Sequence, residues 1–584
     1  MRAGPEAAAG EPARRRRCDA WAALSYLVLS LFVLCRLWVS PNGRVLSAND
    51  DDHDFFLFLI AHGERVIFHG ANPFVSDRLN VPDGVNMMAQ TSVLALSLPF
   101  APVTHWFGAG VTVAVLLTLG LSSTATAWYW VLSRHLVRSR LAAWIGGLWC
   151  GFCPAMVAHA NGHVNFVNQY VVPFLVWQIF RLREPGRILR GGVAVGLLIV
   201  LQAFINEETL LFVALTLGVF VLGYAAMAPQ AARAVAPRFA AGLGVAALVS
   251  GLLLAYPLWF QFAGPGSYHG QPFPPDQYVT DLLSVGAYAR QSLAGAGAVA
   301  RALSVSATED NTFFGLPLLI LLAVAVVMLW RSVAARAAAL AGLVLLVVSM
   351  GPSLRAGGRD TGIPLPFGLV SHVPVIDLVS VTRFAMVPAT IVGVLLALAA
   401  DRAAAYSRRP RMAFWVALTV ALVPVAPKPL PIVVADPLPP FLADGTWRSY
   451  VPAGRSVVPV PLPEVTSGRT GMRWAALSGL EFGVPRGYFM GPANPPADRT
   501  GSWNAPPRFT SDLLERVGRD GRVPVITAAD RQAFAADLRF WRAGAVVLVP
   551  GAAYESQLQA TLTELFGKLP RVVGGVKLWI PPPG

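Results

Sequence analysis

Eleven apolar runs, separated by short loops, set the terms for this chain. Each approaches the roughly 20 residues that a helix needs to cross a bilayer's hydrocarbon core. They cover residues 20–40, 111–132, 141–157, 166–182, 192–205, 210–227, 239–262, 316–330, 337–350, 384–400 and 413–425. Arginines sort the loops between them. Arg134, Arg138 and Arg140 follow the second run, and Arg181, Arg183, Arg187 and Arg190 the fourth. Arg233 and Arg238 follow the sixth, Arg331 and Arg336 the eighth, and Arg402, Arg408, Arg409 and Arg411 the tenth. Every second loop is basic, which is the pattern that orients a polytopic protein with its basic loops inside. The expected fold is therefore an α-helical polytopic membrane protein of about eleven transmembrane helices.

Composition agrees. Of 584 residues 55% are hydrophobic and 13% charged, against roughly 25% charged in ordinary soluble domains. The net charge of +14 sits in short loops, so it serves orientation and points away from nucleic acid. Cys18, Cys35, Cys150 and Cys153 all fall in segments expected inside or within the membrane, so no disulfide framework is implied. Cys150 and Cys153 have redox-motif spacing, but in an apolar run they read as small buried side chains.

The alternation divides the chain. Residues 1–19 form a basic cytoplasmic N-terminus, and 20–426 a transmembrane domain with outer loops 41–110 and 264–315. Residues 427–584 form an extracytoplasmic tail. The protein is expected in the cell membrane as a multi-pass chain. The segment 92–107, with Pro99 and Pro102, would upset the alternation if it crossed, so it is expected as an interfacial or re-entrant piece. In the tail, 456–462, 545–549 and 576–580 read as strands, and 529–540 and 554–566 as helices. That content suits one small α/β domain.

Five polar clusters interrupt this apolar background. Asn49-Asp50-Asp51-Asp52-His53-Asp54 opens the first outer loop. A row of carboxylates repels itself and raises some pKa values. Such a cluster can supply a base for a sugar hydroxyl or a ligand for a divalent cation. The plain alternative is a helix N-cap by Asn49 or Asp50. The residues after it suit a helix lying on the membrane surface, apolar face down. Asn206-Glu207-Glu208 sits in a tight turn between two runs, where ionisable groups are costly. His159-Ala-Asn161-Gly162-His163 places two histidines four apart, on one face if the helix continues past Gly162. Thr382-Arg383-Phe384 offers a guanidinium fork suited to a phosphate, or a partner for Asp377. Thr308-Glu309-Asp310-Asn311 adds acids to the same expected face.

These residues, with the loop pieces His69-Gly-Ala-Asn-Pro-Phe74 and Pro82-Asp-Gly-Val-Asn86, resemble the GT-C superfamily of integral-membrane glycosyltransferases. The likeness is to an uncharacterised actinobacterial branch. It covers roughly residues 20–425; the tail matches only in its placement. It implies a GT-C-like bundle and transfer of a hexose or pentose from a polyprenyl-phosphate donor to a glycan, lipid or protein acceptor. Asp50, Asp51 or Asp52 would be the catalytic base, with Asp51 and Asp52 foremost. Glu207, Glu208, His53, His163, Asn161 and Arg383 would bind substrate, Arg383 at the lipid phosphate. No metal ligand set is assigned, although a divalent cation could neutralise the leaving phosphate. Membrane lipids complete the partners; nucleic acid is not among them. The rival readings are a multi-span transporter or lipid flippase for cell-envelope precursors, and a non-catalytic scaffold. A transporter calls for charges near mid-membrane and a pseudo-repeat. The sequence shows neither.

Overall fold

A computed structural model describes residues 5–503 and 505–582, with side chains from residue 16 onward. The chain is mostly helical. Among the described residues, five helices are long and apolar enough to cross a membrane: Ala109–Leu136, Arg140–His159, Glu207–Met227, Pro229–Ala263 and Val381–Ala404. Four shorter apolar helices join them: Val171–Arg181, Ile188–Ala203, Leu316–Met328 and Val333–Ser349. The first and last apolar runs of the sequence fold as Pro5–Val33 and Arg408–Leu422.

Close approach of backbones holds the bundle, as expected where lipid offers no hydrophobic drive between helices. Gly147 and Gly151 lie four apart in Arg140–Phe152 and face Ala125 of Ala109–Val131. A Cβ at Gly151 would lie 2.6 Å from Ala125 Cβ and 2.8 Å from Leu121 O. Hydrogen bonds from Tyr26 to Trp144 O (2.7 Å) and from Ser30 to Thr118 O (2.7 Å) tie the N-terminal helix to its neighbours.

The fourth apolar run departs from expectation. Helix begins only at Val171, because 160–170 unwinds around Gly162 (φ +122°) and a single turn, Val164–Val167. Buried side chains satisfy the freed backbone there. Thr124 donates to Val167 O (2.9 Å), Asn168 to Val164 O (2.7 Å) and Gln169 to Phe166 O (2.9 Å). Irregular backbone inside a bundle is tolerated on those terms. The 92–107 stretch becomes two short helices, Leu94–Ser97 and Ala101–Phe107, neither long enough to cross.

The helix expected on the membrane surface, Asp50–His69, is instead packed inside protein. Residues from Phe56 to Glu64 are all buried. Its second face is covered by the helix Thr470–Leu477 of the tail and by Leu94–Ser97. Gly70, in the left-handed region (φ +65°), ends it.

The tail carries a four-stranded sheet in the order Arg571–Val573, Val576–Trp579, Ala543–Leu548, Ser456–Val460. The last pair is parallel and the other two are antiparallel. Side chains alternate between its faces, as a pleated strand requires. Val546 and Leu548 pack with Leu514, Leu558 and Leu562 from the flanking helices, while Ala545 and Val547 join the main core. The start of the tail is pinned to the first loop, where Ile432–Val434 pairs antiparallel with Arg44–Leu46.

The tight glycine seam gives a first expectation. Gly151→Val forces Ala125 and Leu121 apart, and overpacking of this kind costs about 1–3 kcal/mol. A thermal melt of detergent-purified protein should fall for Gly151→Val and hold for Gly218→Val, a site with open space around its Cα.

Candidate functional site

Charged and polar groups separate to the two ends of the bundle. Val381–Ala404 carries Arg383 at one end and Asp401 at the other, 18 residues or about 27 Å apart at 1.5 Å per residue. At the Asp401 end, its carboxylate accepts from the backbone N–H of Arg138 and Ser139 (3.0 and 2.7 Å), and Asp19 pairs with Arg134 (2.7 Å) and Arg140. At the Arg383 end lies the acid helix.

Each aspartate of that helix has a partner. Asp50 and Asp51 face Arg469 of the tail at 3.2 and 2.6 Å. Asp54 pairs with Arg473 at 2.9 Å, both well buried. Asp52 turns to the bundle instead. Its Oδ2 accepts from His163 Nε2 (2.7 Å) and Asn49 Nδ2 (2.8 Å), and its Oδ1 from the Tyr488 hydroxyl (2.9 Å). Asn49 precedes the helix but does not cap it through its side chain, which binds Asp52. Four acids in five residues are therefore not a solvated helix start.

The environments push neighbouring carboxylates apart. Burial raises Asp51 to about 6; Arg469 opposes the shift and the charges of Asp50 and Asp52 reinforce it. Burial would raise Asp52 too, but His163, Asn49 and Tyr488 outweigh it and hold that carboxyl well below the usual range. An ionised carboxylate only accepts hydrogen bonds. His163 Nε2 therefore carries hydrogen.

His163 Nδ1 in turn lies 2.7 Å from His159 Nδ1. The helix does break at Gly162, yet the unwound turn still brings the two rings together. Past them, Arg383 donates from Nε to Glu309 Oε1 (2.9 Å) and from Nη1 to Glu208 Oε2 (3.1 Å). Its guanidinium lies 4.8 Å above the Phe166 ring. Arg383 thus takes Glu208 and Glu309 as partners, not Asp377. Ligand atoms of His159, His163 and Glu309 all fall within 4.8 Å of one another. Nε2 of His159 is buried without a hydrogen bond. Two imidazoles and a carboxylate at that spacing fit a divalent cation.

The remaining expected residues lie elsewhere. Glu207 accepts from Gln261 (2.7 Å) on the long helix Pro229–Ala263, turned away from its neighbour Glu208. Asn161 folds back on its own turn and donates to Ala158 O (2.9 Å). His53 is buried with neither ring nitrogen hydrogen-bonded, and burial, helped by Arg473, lowers it to about 3. A neutral, enclosed imidazole has no path to a substrate. Asp310 accepts from the backbone N–H of Arg290 (2.9 Å) and braces its own loop.

Beside the cluster opens a cavity of about 270 Å³, lined by Phe273, Tyr278, Ser371, His372 and Asp377 among others. It shares the turn Val381–Ala385 with Arg383, since Val381 lines it and Tyr278 O accepts from Thr382 N (2.9 Å).

No protein-family profile matches the chain, and no curated protein matches it in sequence. Among solved structures it is similar to the archaeal oligosaccharyltransferase AglB from Archaeoglobus fulgidus, determined in complex with an inhibitory peptide and a dolichol-phosphate. The TM-score is 0.52 at 10% identity, over 95% of this chain and 71% of that one. The two chains share an overall fold. At that identity the likeness establishes architecture alone. The long apolar helices mark a membrane protein.

Sequence reasoning missed Tyr488, Arg469 and Arg473. The two arginines stand four apart, as do Asp50 and Asp54, so each pair shares one helix face. That matched spacing was the available signal. Removing one side of it is informative. Arg473→Ala leaves Asp54 buried without its cation and should cost about 3–5 kcal/mol. Arg448→Ala breaks the exposed pair with Glu481 and a contact over the Trp447 ring and should cost about 1 kcal/mol. Equal melting temperatures for the two variants would contradict the assignment.

Proposed function

We propose that this protein is a membrane glycosyltransferase. It moves a sugar from a polyprenyl-phosphate donor to an acceptor hydroxyl on the non-cytoplasmic face, where the tail also lies. The observation that carries this reading is the meeting of Asp52, His163, Glu208, Glu309 and Arg383 at one end of a GT-C-like bundle. The basic loops support a cytoplasmic placement of the opposite end. The solved neighbour's dolichol-phosphate supports a lipid-linked donor.

Two adjacent carboxylates take two roles, set by their surroundings. Asp51, raised to about 6, is the general base, because a base works best when its pKa lies near the operating pH. Asp52 stays ionised and stabilises positive charge that develops at the anomeric carbon. Arg383 holds the donor phosphate through Nη2, its other two nitrogens being engaged by Glu208 and Glu309. The cavity beside the Val381–Ala385 turn receives the sugar. His159, His163 and Glu309 would hold a divalent cation, whose charge would neutralise the leaving phosphate. The reaction is one displacement: the acceptor oxygen bonds to the anomeric carbon, its proton passes to Asp51, and the carbon–phosphate oxygen bond breaks to release polyprenyl phosphate.

The test is transfer of radiolabelled sugar from polyprenyl-phosphate donors in membranes. Asp52→Ala should lose transfer by at least about a hundredfold, and Asp51→Asn by about 10²–10⁴. The base must be ionised, so wild-type rate should climb as pH rises through about 6. Asp51→Asn should flatten that limb. Normal incorporation by both variants, at equal expression, would remove the enzyme reading.

A further inference from the structure

The tail is more than a covering on the bundle. It sends one hydroxyl directly to the ionised carboxylate of the cluster. Tyr488 Oη donates to Asp52 Oδ1 at 2.9 Å, while the bundle's own donor, His163, and Asn49 both bind Oδ2. Tyr488 is thus the one donor seen on Oδ1 among the described residues. The ring is fixed from two sides. Phe55 meets it edge-on (5.7 Å, 90°), and Trp503 stacks on it (5.5 Å, 11°). Trp503 ends the hairpin formed by Met490–Asn494 and Asp498–Trp503. That hairpin is latched to the first loop, because Met490 N donates to Gln90 Oε1 (3.0 Å) and the Gln90 amide returns a bond to Met490 O. Phe55 rides on the acid helix itself, three residues past Asp52. A side chain with two hinges, clamped by rings on both elements, loses little entropy on aiming its hydroxyl.

We infer that Tyr488 is a positioning residue of the transferase centre. It fixes the direction of the Asp52 carboxylate, so the catalytic constellation is complete only with the tail docked. The phenol also stays a donor, since burial and the adjacent Asp52 charge both raise its pKa. This inference rests on the transferase reading given above and assigns the tail a part in it. An anion whose two oxygens are both held must not swing when the donor sugar arrives, and preorganised charge of that kind acts in the transition state more than in binding. Arg469 and Arg473 serve the same docking from the acid helix's other aspartates.

The test compares Tyr488→Phe with Tyr488→Leu in the full-length membrane protein, using the radiolabelled polyprenyl-phosphate sugar transfer assay and thermal melts. Phenylalanine keeps both ring contacts and removes only the hydroxyl. Tyr488→Phe should lower kcat about tenfold, the worth of one hydrogen bond to a charged group. Its KM for the donor should stay within about twofold, with an unchanged melt. Tyr488→Leu should lower kcat at least as far and lower the melt as well. Wild-type kcat for Tyr488→Phe, beside an active wild type, would make the ring a packing element and overturn this inference alone. A rise in KM with kcat unchanged would also overturn it, by making Tyr488 a binding group. A wild type without transfer would overturn the site reading, and this inference with it.

Discussion

A charge taken out of water must find a partner, and that rule organises this molecule. The acid helix Asp50–His69 would be intolerable inside protein if its carboxylates were left alone. Each instead meets a specific donor: Arg469 for Asp50 and Asp51, Arg473 for Asp54, and His163, Asn49 and Tyr488 for Asp52. Those pairings decide where the tail sits. They also leave Asp52 as the one aspartate of the four that faces the bundle. Arg383 extends the logic inward, because its guanidinium satisfies Glu208 and Glu309 together.

The same rule separates the ends of the bundle. Asp19, Arg134, Arg140 and Asp401 neutralise one another or cap backbone at one end. The acid helix, the histidine turn and Arg383 gather at the other. Between them run apolar helices packed through small residues, as in the Gly147–Gly151 seam against Ala125. Helix ends are where a bundle can hold charge at least cost, so a polar centre there needs no charge at mid-span.

Much of this was legible in the sequence, for physical reasons that differ by element. Apolar runs are long-range statements about solvent, so the principal helices fall near where hydropathy puts them. The strands at 456–460, 543–548 and 576–579 follow from short β-branched runs between turn residues. Asp52, His163, Glu208 and Arg383 were visible as polar groups in apolar surroundings. What sequence could not show was which neighbour each would choose. Glu207 and Glu208 are adjacent, yet a helix start turns successive side chains about 100° apart, sending one to Gln261 and the other to Arg383. The burial of the acid helix was equally hidden, since part of its cover, with the cations of Asp50, Asp51 and Asp54, comes from residues more than 400 positions away. Tyr488 carries no local mark at all; only the folded tail brings it to Asp52.

In the proposed centre the lipid phosphate lies at the Arg383 end of the bundle. The most direct measurement is a cryo-electron microscopy structure of the protein in nanodiscs loaded with a polyprenyl phosphate. Phosphate density within hydrogen-bond reach of Arg383, beside His159 and His163, is the expected result. Phosphate density at the far end, against Arg134 and Arg140, would contradict it.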